Sequence, residues 1–130
     1  METKMELNPI IEYWPNSNKK SKQKHMERWF KDSKYHRDDG PGFIIWHCNG
    51  KIQYEVWFFD GKPHRIDGPA DIEWDTKGNQ VYEDWWIDGN RLNGTELEEY
   101  KVWLYNHNLY NKFYHMWVDE EKVLWKLTWV

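Results

Sequence analysis

His36-Arg37-Asp38-Asp39-Gly40-Pro41 returns 28 residues later as His64-Arg65-Ile66-Asp67-Gly68-Pro69. Outward from this turn the match continues through Ile44/Ile72, Trp46/Trp74, Gly50/Gly78, Tyr54/Tyr82, Glu55/Glu83, Trp57/Trp85 and Asp60-Gly61/Asp88-Gly89. A fixed period of this length marks a supersecondary unit that cannot bury its apolar side alone and must pack on its neighbours. The expected fold is mainly β: antiparallel hairpins of period 28, stacked into a twisted single-layer sheet within one domain, 1–130. The units span 35–62 and 63–90.

Each unit reads as a two-stranded hairpin. Asp39 can close an Asx turn, Gly40 can take a backbone conformation closed to other residues, and Pro41 sets the start of the next strand. Asn49-Gly50, and Lys77-Gly78 in the same place, predict type I′ turns at the tips. The strands are then about 42–47 with 52–59 and 70–75 with 80–87. Alternation places Ala70, Ile72, Trp74, Val81, Glu83, Trp85 and Ile87 on one face, expected to be the core, with Ile44, Trp46, Gln53, Glu55 and Trp57 equivalent. Glu55 and Glu83 put carboxylates on that apolar face, and a buried carboxylate needs a partner. Arg37 and Arg65, repeated with the same period, are the expected partners. Together with Trp46, Trp57, Trp74 and Trp85 they are read as structural pairs.

The pattern extends backwards in degraded form, predicting a hairpin over 10–30. Its turn, Asn16 to Lys24, carries Lys19, Lys20, Lys22 and Lys24 but no interleaved ring to stack a base, and reads as a solvated loop tip. Forwards, Arg91-Leu92-Asn93-Gly94 is a worn remnant of the turn motif. Thr95 with Glu98 predicts a capping box opening a helix over 95–112. Leu97, Tyr100, Trp103, Leu104, His107 and Tyr110 share its apolar face, which would cap the open end of the sheet. The alternation of Val123, Trp125, Leu127 and Trp129 predicts terminal strands over 113–130, with Asp119-Glu120-Glu121 as a turn.

Eleven Trp, eight Tyr and five Phe supply a core of a few large rings among 31% charged residues, the composition of a folded soluble domain. No apolar run approaches the ~18 residues of a membrane span, and Met1-Glu2-Thr3-Lys4 does not open like a signal peptide. With Cys48 as its one cysteine, the chain is expected in a reducing cytoplasm. Residues 66–99 hold ten acids against two bases, whereas 1–65 carry twelve bases against nine acids. That acidic surface favours basic partners over phosphates, so neither nucleic acid nor membrane is expected.

The chain contains no phosphate-cradling glycine loop, Cys-x-x-Cys, His-Glu-x-x-His or nucleophile elbow. His36 and His64 sit identically beside a turn and read as hydrogen-bonded structural residues, not metal ligands. His47 and Cys48 are adjacent in a strand, point to opposite faces and do not form a nucleophile pair. No catalytic residue, metal or cofactor is expected. Recognition falls instead to positions that differ between units: Phe43, Ile45, Tyr54, Val56 and Phe58 in the first, Asp71, Glu73, Tyr82, Asp84 and Trp86 in the second. An oily surface beside an acidic one suits a protein partner with a basic or apolar-basic surface. Open sheet edges offer a route to a homodimer. A second expectation is a Trp-lined pocket for a nucleotide or sugar, with Arg37 or Arg65 pairing an anion.

The His-Arg-x-Asp-Gly-Pro turn, the Asn-Gly hairpin and the Tyr-Glu-x-Trp strand ending in Asp-Gly-Lys resemble the MORN-like repeat variant of tailed phages and large DNA viruses. The match covers about 27–94 well and 10–26 weakly. The period is longer than in ordinary MORN repeats and their Tyr-x-Gly opening is absent, so the lipid roles of those repeats do not carry over. The resemblance implies a run of hairpins used as an interaction surface in a viral or phage accessory protein. Such a protein would bind and inhibit a host defence or toxin-type protein in the host cytoplasm. It implies no enzyme activity.

Overall fold

The computed structural model describes residues 8–15 and 22–130. Its elements in chain order are β1 (Ile10–Tyr13), β2 (Lys24–Arg28), β3 (Phe30–Lys31), β4 (Lys34–Tyr35), β5 (Phe43–Trp46), β6 (Ile52–Val56), β7 (Phe58–Phe59) and β8 (Lys62–Pro63). There follow β9 (Asp71–Trp74), β10 (Gln80–Ile87), β11 (Asn90–Leu92), α1 (Gly94–Asn106), a single 3-10 turn (Tyr114–Met116) and α2 (Asp119–Trp129). Seven strands form one antiparallel sheet in the order β1-β2-β5-β6-β9-β10-β11, with β1 and β11 at its edges. The short pairs β3–β4 and β7–β8 stand apart from it. The fold is thus mainly β, as expected, with β1 and β2 forming the hairpin read from 10–30. Most of that hairpin's turn, including Lys19 and Lys20, and the start Met1 to Lys4 lie outside the described residues.

Two kinds of turn connect the strands, and they are distributed opposite to expectation. At the long-hairpin tips only the glycines have positive φ, +87° at Gly50 and +90° at Gly78. The Gly50 N–H donates to the His47 carbonyl at 3.0 Å and the Gly78 N–H to that of Asp75 at 3.1 Å. The ladder slips between Ile45 and Trp46 and between Gln80 and Tyr82. These are type I turns closed by a left-handed glycine and a bulge, not type I′. Side chains hold them: the Asp75 carboxylate accepts the Lys77 and Asn79 N–H groups, both at 2.9 Å, and Asn49 Oδ1 accepts the Lys51 N–H. The slip also turns Val81 out of the expected core face, leaving it 62% exposed. Positive φ at both central residues occurs instead at Asp60-Gly61 (49° and 79°) and Asp88-Gly89 (49° and 77°). These join β7 to β8 and β10 to β11 in two-residue loops, small hairpins that the sequence reading passed over.

Gly40 and Gly68 have no positive φ. Their lack of a side chain serves space instead. A Cβ at Gly40 would stand 2.9 Å from Arg37 Cζ, and one at Gly68 would stand 3.0 Å from Arg65 Cζ. Asp39 does not close an Asx turn; its carboxylate accepts from Arg37 Nε at 3.1 Å.

The C-terminal segment corrects the sequence reading most. Residues predicted as terminal strands form the 3-10 turn and α2. The acidic run read as a turn is the first helical turn, where carboxylates complement the helix dipole. Glu121 there accepts the Val118 N–H at 2.9 Å, which holds its carboxyl below the usual range. Trp125 and Trp129, four apart, lie on one helical face, buried and half-buried. Bulky rings in alternation gave a β signal, yet the acidic start and the four-residue spacing prevail once a packing surface exists. α1 ends six residues before the expected boundary. Asn108 takes φ 56°, and the Leu109 N–H bonds the Leu104 carbonyl at 2.8 Å, a Schellman closure that buries Leu109. The α1 N-cap is Asn93 without a side-chain bond, so Thr95 forms no capping box.

The main core gathers at this end of the sheet: Ile66, Trp85, Leu92, Tyr100, Leu104, Leu109, Trp117 and Trp125. Tyr100 joins its three parts. Its hydroxyl donates to the Ile66 carbonyl at 2.6 Å and accepts from Trp125 Nε1 at 2.9 Å, all buried.

Candidate functional site

A stack of cation, indole and carboxylate organises the face on which the helices pack. Arg37 lies 4.2 Å over Trp29, with Glu27 at 3.7 Å; Arg65 lies 4.1 Å over Trp57. Each guanidinium also donates to a carbonyl four residues on, Arg37 to Pro41 at 3.3 Å and Arg65 to Pro69 at 3.1 Å. The closest anion is the Asp two residues ahead: Asp39 for Arg37 and Asp67 for Arg65, both at 3.1 Å. The expected Glu–Arg pairing is therefore secondary, because a planar fork lying on an indole meets the turn carboxylate first. Burial raises the Glu55 carboxyl above its ordinary value, and Arg65 and Trp57 lower it only in part. Glu83 is exposed, and its cation is neither arginine. Lys101 of α1 lies 4.0 Å from Glu83 and 5.5 Å over Trp85, so the helix supplies the cation where the turn motif has worn away. Trp85 is fully buried, while Trp46, Trp57 and Trp74 are half-buried.

The two histidines of the turns cap the small hairpins. His36 Nδ1 accepts the Asp60 N–H at 3.0 Å and His64 Nδ1 the Asp88 N–H at 2.9 Å. Burial holds the His64 ring below its ordinary pKa, against the pull of Asp88. His47 Nε2 donates to the Trp74 carbonyl at 3.0 Å, and among the described residues no hydrogen bond joins this ring to the exposed Cys48. Among the described residues, no three His, Cys, Asp or Glu side chains gather as a metal site. No described helix is long and apolar enough to cross a membrane.

On the other face, Phe43, Tyr54 and Phe58 join Tyr35 and Phe30 in one network. Tyr35 stacks on Phe30 and Phe58 at 4.8 and 5.0 Å, and Phe43 meets Tyr35 and Tyr54 edge-on. Ile45 is half-buried on β5, and Val56, opposite Phe43, is buried. The second unit continues this face as a polar strip. Asp71 pairs with both Val56 and Asp84 across the ladders, and Glu73 with both Tyr54 and Tyr82. The Tyr82 hydroxyl donates to Asp84 at 2.6 Å, and Arg91 Nε reaches the same carboxylate at 2.8 Å. Burial first, then neighbouring Asp84 and Glu73, raise the Asp71 carboxyl despite the Tyr54 hydroxyl. Burial and Asp71 push the Tyr54 phenol up in turn. Trp86 is half-buried beside them. Among the described residues, hydrogen bonds, ion pairs and ring contacts from 94–130 to the sheet region reach Trp57, Ile66, Asp67, Glu83 and Trp85, and none of these ten.

A cleft of about 410 Å³ opens between the two His-Arg turns and the C-terminal segment. Trp57, Phe59, Phe113 and Trp125 are among its rings; Arg37, His64, His115 and Lys126 are among its polar groups. Sequence reasoning offered Arg37 or Arg65 for a Trp-lined pocket, with Trp57 read as structural, but missed Phe113, His115 and Lys126, which it placed in strands. It also missed the outer side of α2, where Val123, Leu124 and Leu127 stand 41–79% exposed. Their helical spacing was the available signal.

Comparison with family models, with curated proteins and with solved structures finds no significant match for this chain.

Proposed function

We propose that this protein is a non-enzymatic binding module, a stack of MORN-like hairpins of period 28, whose helix-free sheet face holds a partner protein. The observation that carries the reading is one-sided packing. α1 engages Trp85 through Tyr100, and Phe113, in the segment between the helices, stacks on Trp57, while Phe43, Tyr54 and Phe58 stay half-buried on the opposite side, beside Asp71, Glu73 and Asp84. Apolar rings next to crowded carboxylates favour a partner presenting Lys or Arg flanked by apolar groups. The resemblance to viral and phage repeats favours an accessory protein that blocks a host defence or toxin-type protein stoichiometrically in the host cytoplasm.

The test is affinity capture from host lysate with three forms of the chain. A one-to-one partner should be retained by the wild type and by Lys126→Glu, and lost by Glu73→Lys combined with Tyr82→Ala. The complex should also weaken with added salt. Absence of any stoichiometric partner, or a partner indifferent to the sheet-face variant, overturns the reading.

A further inference from the structure

His36 and His64 occupy equivalent places, yet only one is saturated. At both, Nδ1 accepts a turn N–H, so the neutral ring carries its hydrogen on Nε2. His36 donates that hydrogen to Asp38 Oδ1 at 2.8 Å. The corresponding residue after His64 is Ile66, which is buried in the core and offers no acceptor. Among the described residues, His64 Nε2–H is left without a partner, and His64 lines the cleft.

Further donors at the cleft are in the same condition. The His115 ring stacks on Phe113 and makes no hydrogen bond among the described residues; Lys126 has no ion pair there. Acceptors are mostly spoken for: Asp67 by Arg65 and Asp38 by His36. Asp88 and Asp38, 71% and 69% exposed, are the carboxylates that a ligand's charge would have to avoid. Phe59 and Phe113, 42% and 45% exposed, offer open ring surface, and Phe113 stacks 6.3 Å from Trp57. Surplus donors beside exposed rings call for a flat ligand rich in acceptors.

We propose that this cleft binds a planar aromatic anion, its ring against Phe113 and Phe59 and its phosphate or carboxylate at Lys126, His115 and the His64 Nε2–H. Arg37 and Arg65 are not its anion site, since turn aspartates and carbonyls already occupy them. A nucleoside monophosphate and an aromatic carboxylate share this chemistry, and the volume accommodates either. None of the ten sheet-face residues lines the cleft, so this site and the protein-binding face stand or fall separately.

The test is isothermal titration, with tryptophan fluorescence as a second readout, using adenosine monophosphate, naphthoate, adenosine and inorganic phosphate. Saturable binding of adenosine monophosphate or naphthoate is expected, with adenosine and phosphate at least about tenfold weaker, because each lacks one half of the recognised chemistry. Lys126→Glu combined with His115→Ala, its fold verified by circular dichroism, should weaken the ring anion about tenfold or more. Which anion binds assigns the class. No saturable response to either ring anion, adenosine binding as tightly as its monophosphate, or unchanged affinity in the double variant overturns the proposal.

Discussion

Replacing Tyr100 by Phe tests the joint on which the C-terminal core depends. The substitution keeps the buried ring and deletes one oxygen, which donates to the Ile66 carbonyl at 2.6 Å and accepts from Trp125 Nε1 at 2.9 Å. Tyr100 is 0% exposed, so water cannot replace either partner. A buried polar group left unpaired costs about 1–3 kcal/mol, and two of them here set an expected loss of about 3 kcal/mol, partial relaxation included. With a urea slope of ~1.5 kcal/mol/M, the unfolding midpoint should fall by about 2 M with the slope unchanged. For 130 residues the melting temperature should drop by about 10 °C. Urea titration followed by tryptophan fluorescence measures it. A midpoint shift under ~0.5 M would show that the hydroxyl does not bridge the turn and α2.

Gly68→Ala should destabilise by about 2–4 kcal/mol, because its Cβ would push the Arg65 guanidinium off Trp57 and Asp67 and break a buried pair. Gly50→Ala, with open space around it but φ +87°, should lose only about 1–2 kcal/mol. Equal losses in thermal melts would refute the steric account of the motif glycine. Acid should weaken the fold through His64: its folded pKa lies below the unfolded value of about 6.5, so its contribution is complete above that pH and is lost as pH falls through the folded value. The raised carboxyls of Glu55 and Asp71 act oppositely, since the folded state takes up their protons first as pH falls. Melting from pH ~7.5 to ~5 should therefore fall more steeply in wild type than in His64→Asn, whose amide oxygen can still accept the Asp88 N–H; parallel curves would sink the assignment.

What the sequence by itself determined is whatever depends on neighbours a few positions apart or on strict alternation. The hairpins of β1–β2, β5–β6 and β9–β10 follow from turn residues and period-two patterning, and so does the division of Ile72 and Glu83 from Asp71 and Asp84. The face of α1 that carries Tyr100 and Leu104 was legible for the same reason. Turn type was not, because Asp75 and Asn49 choose it through their side-chain bonds. Only the tertiary structure decided that 113–130 is helical, since alternating large rings satisfy a strand or a helix until a surface such as Tyr100 and the Ile66 turn is there to pack on. It likewise decided that Lys101 stands in for an arginine over Trp85, and that His64, with Ile66 where His36 has Asp38, keeps an unpartnered donor in a cleft. Local pattern sets which atoms share a face; contacts between distant segments set which of those atoms are covered, paired or left open to a ligand.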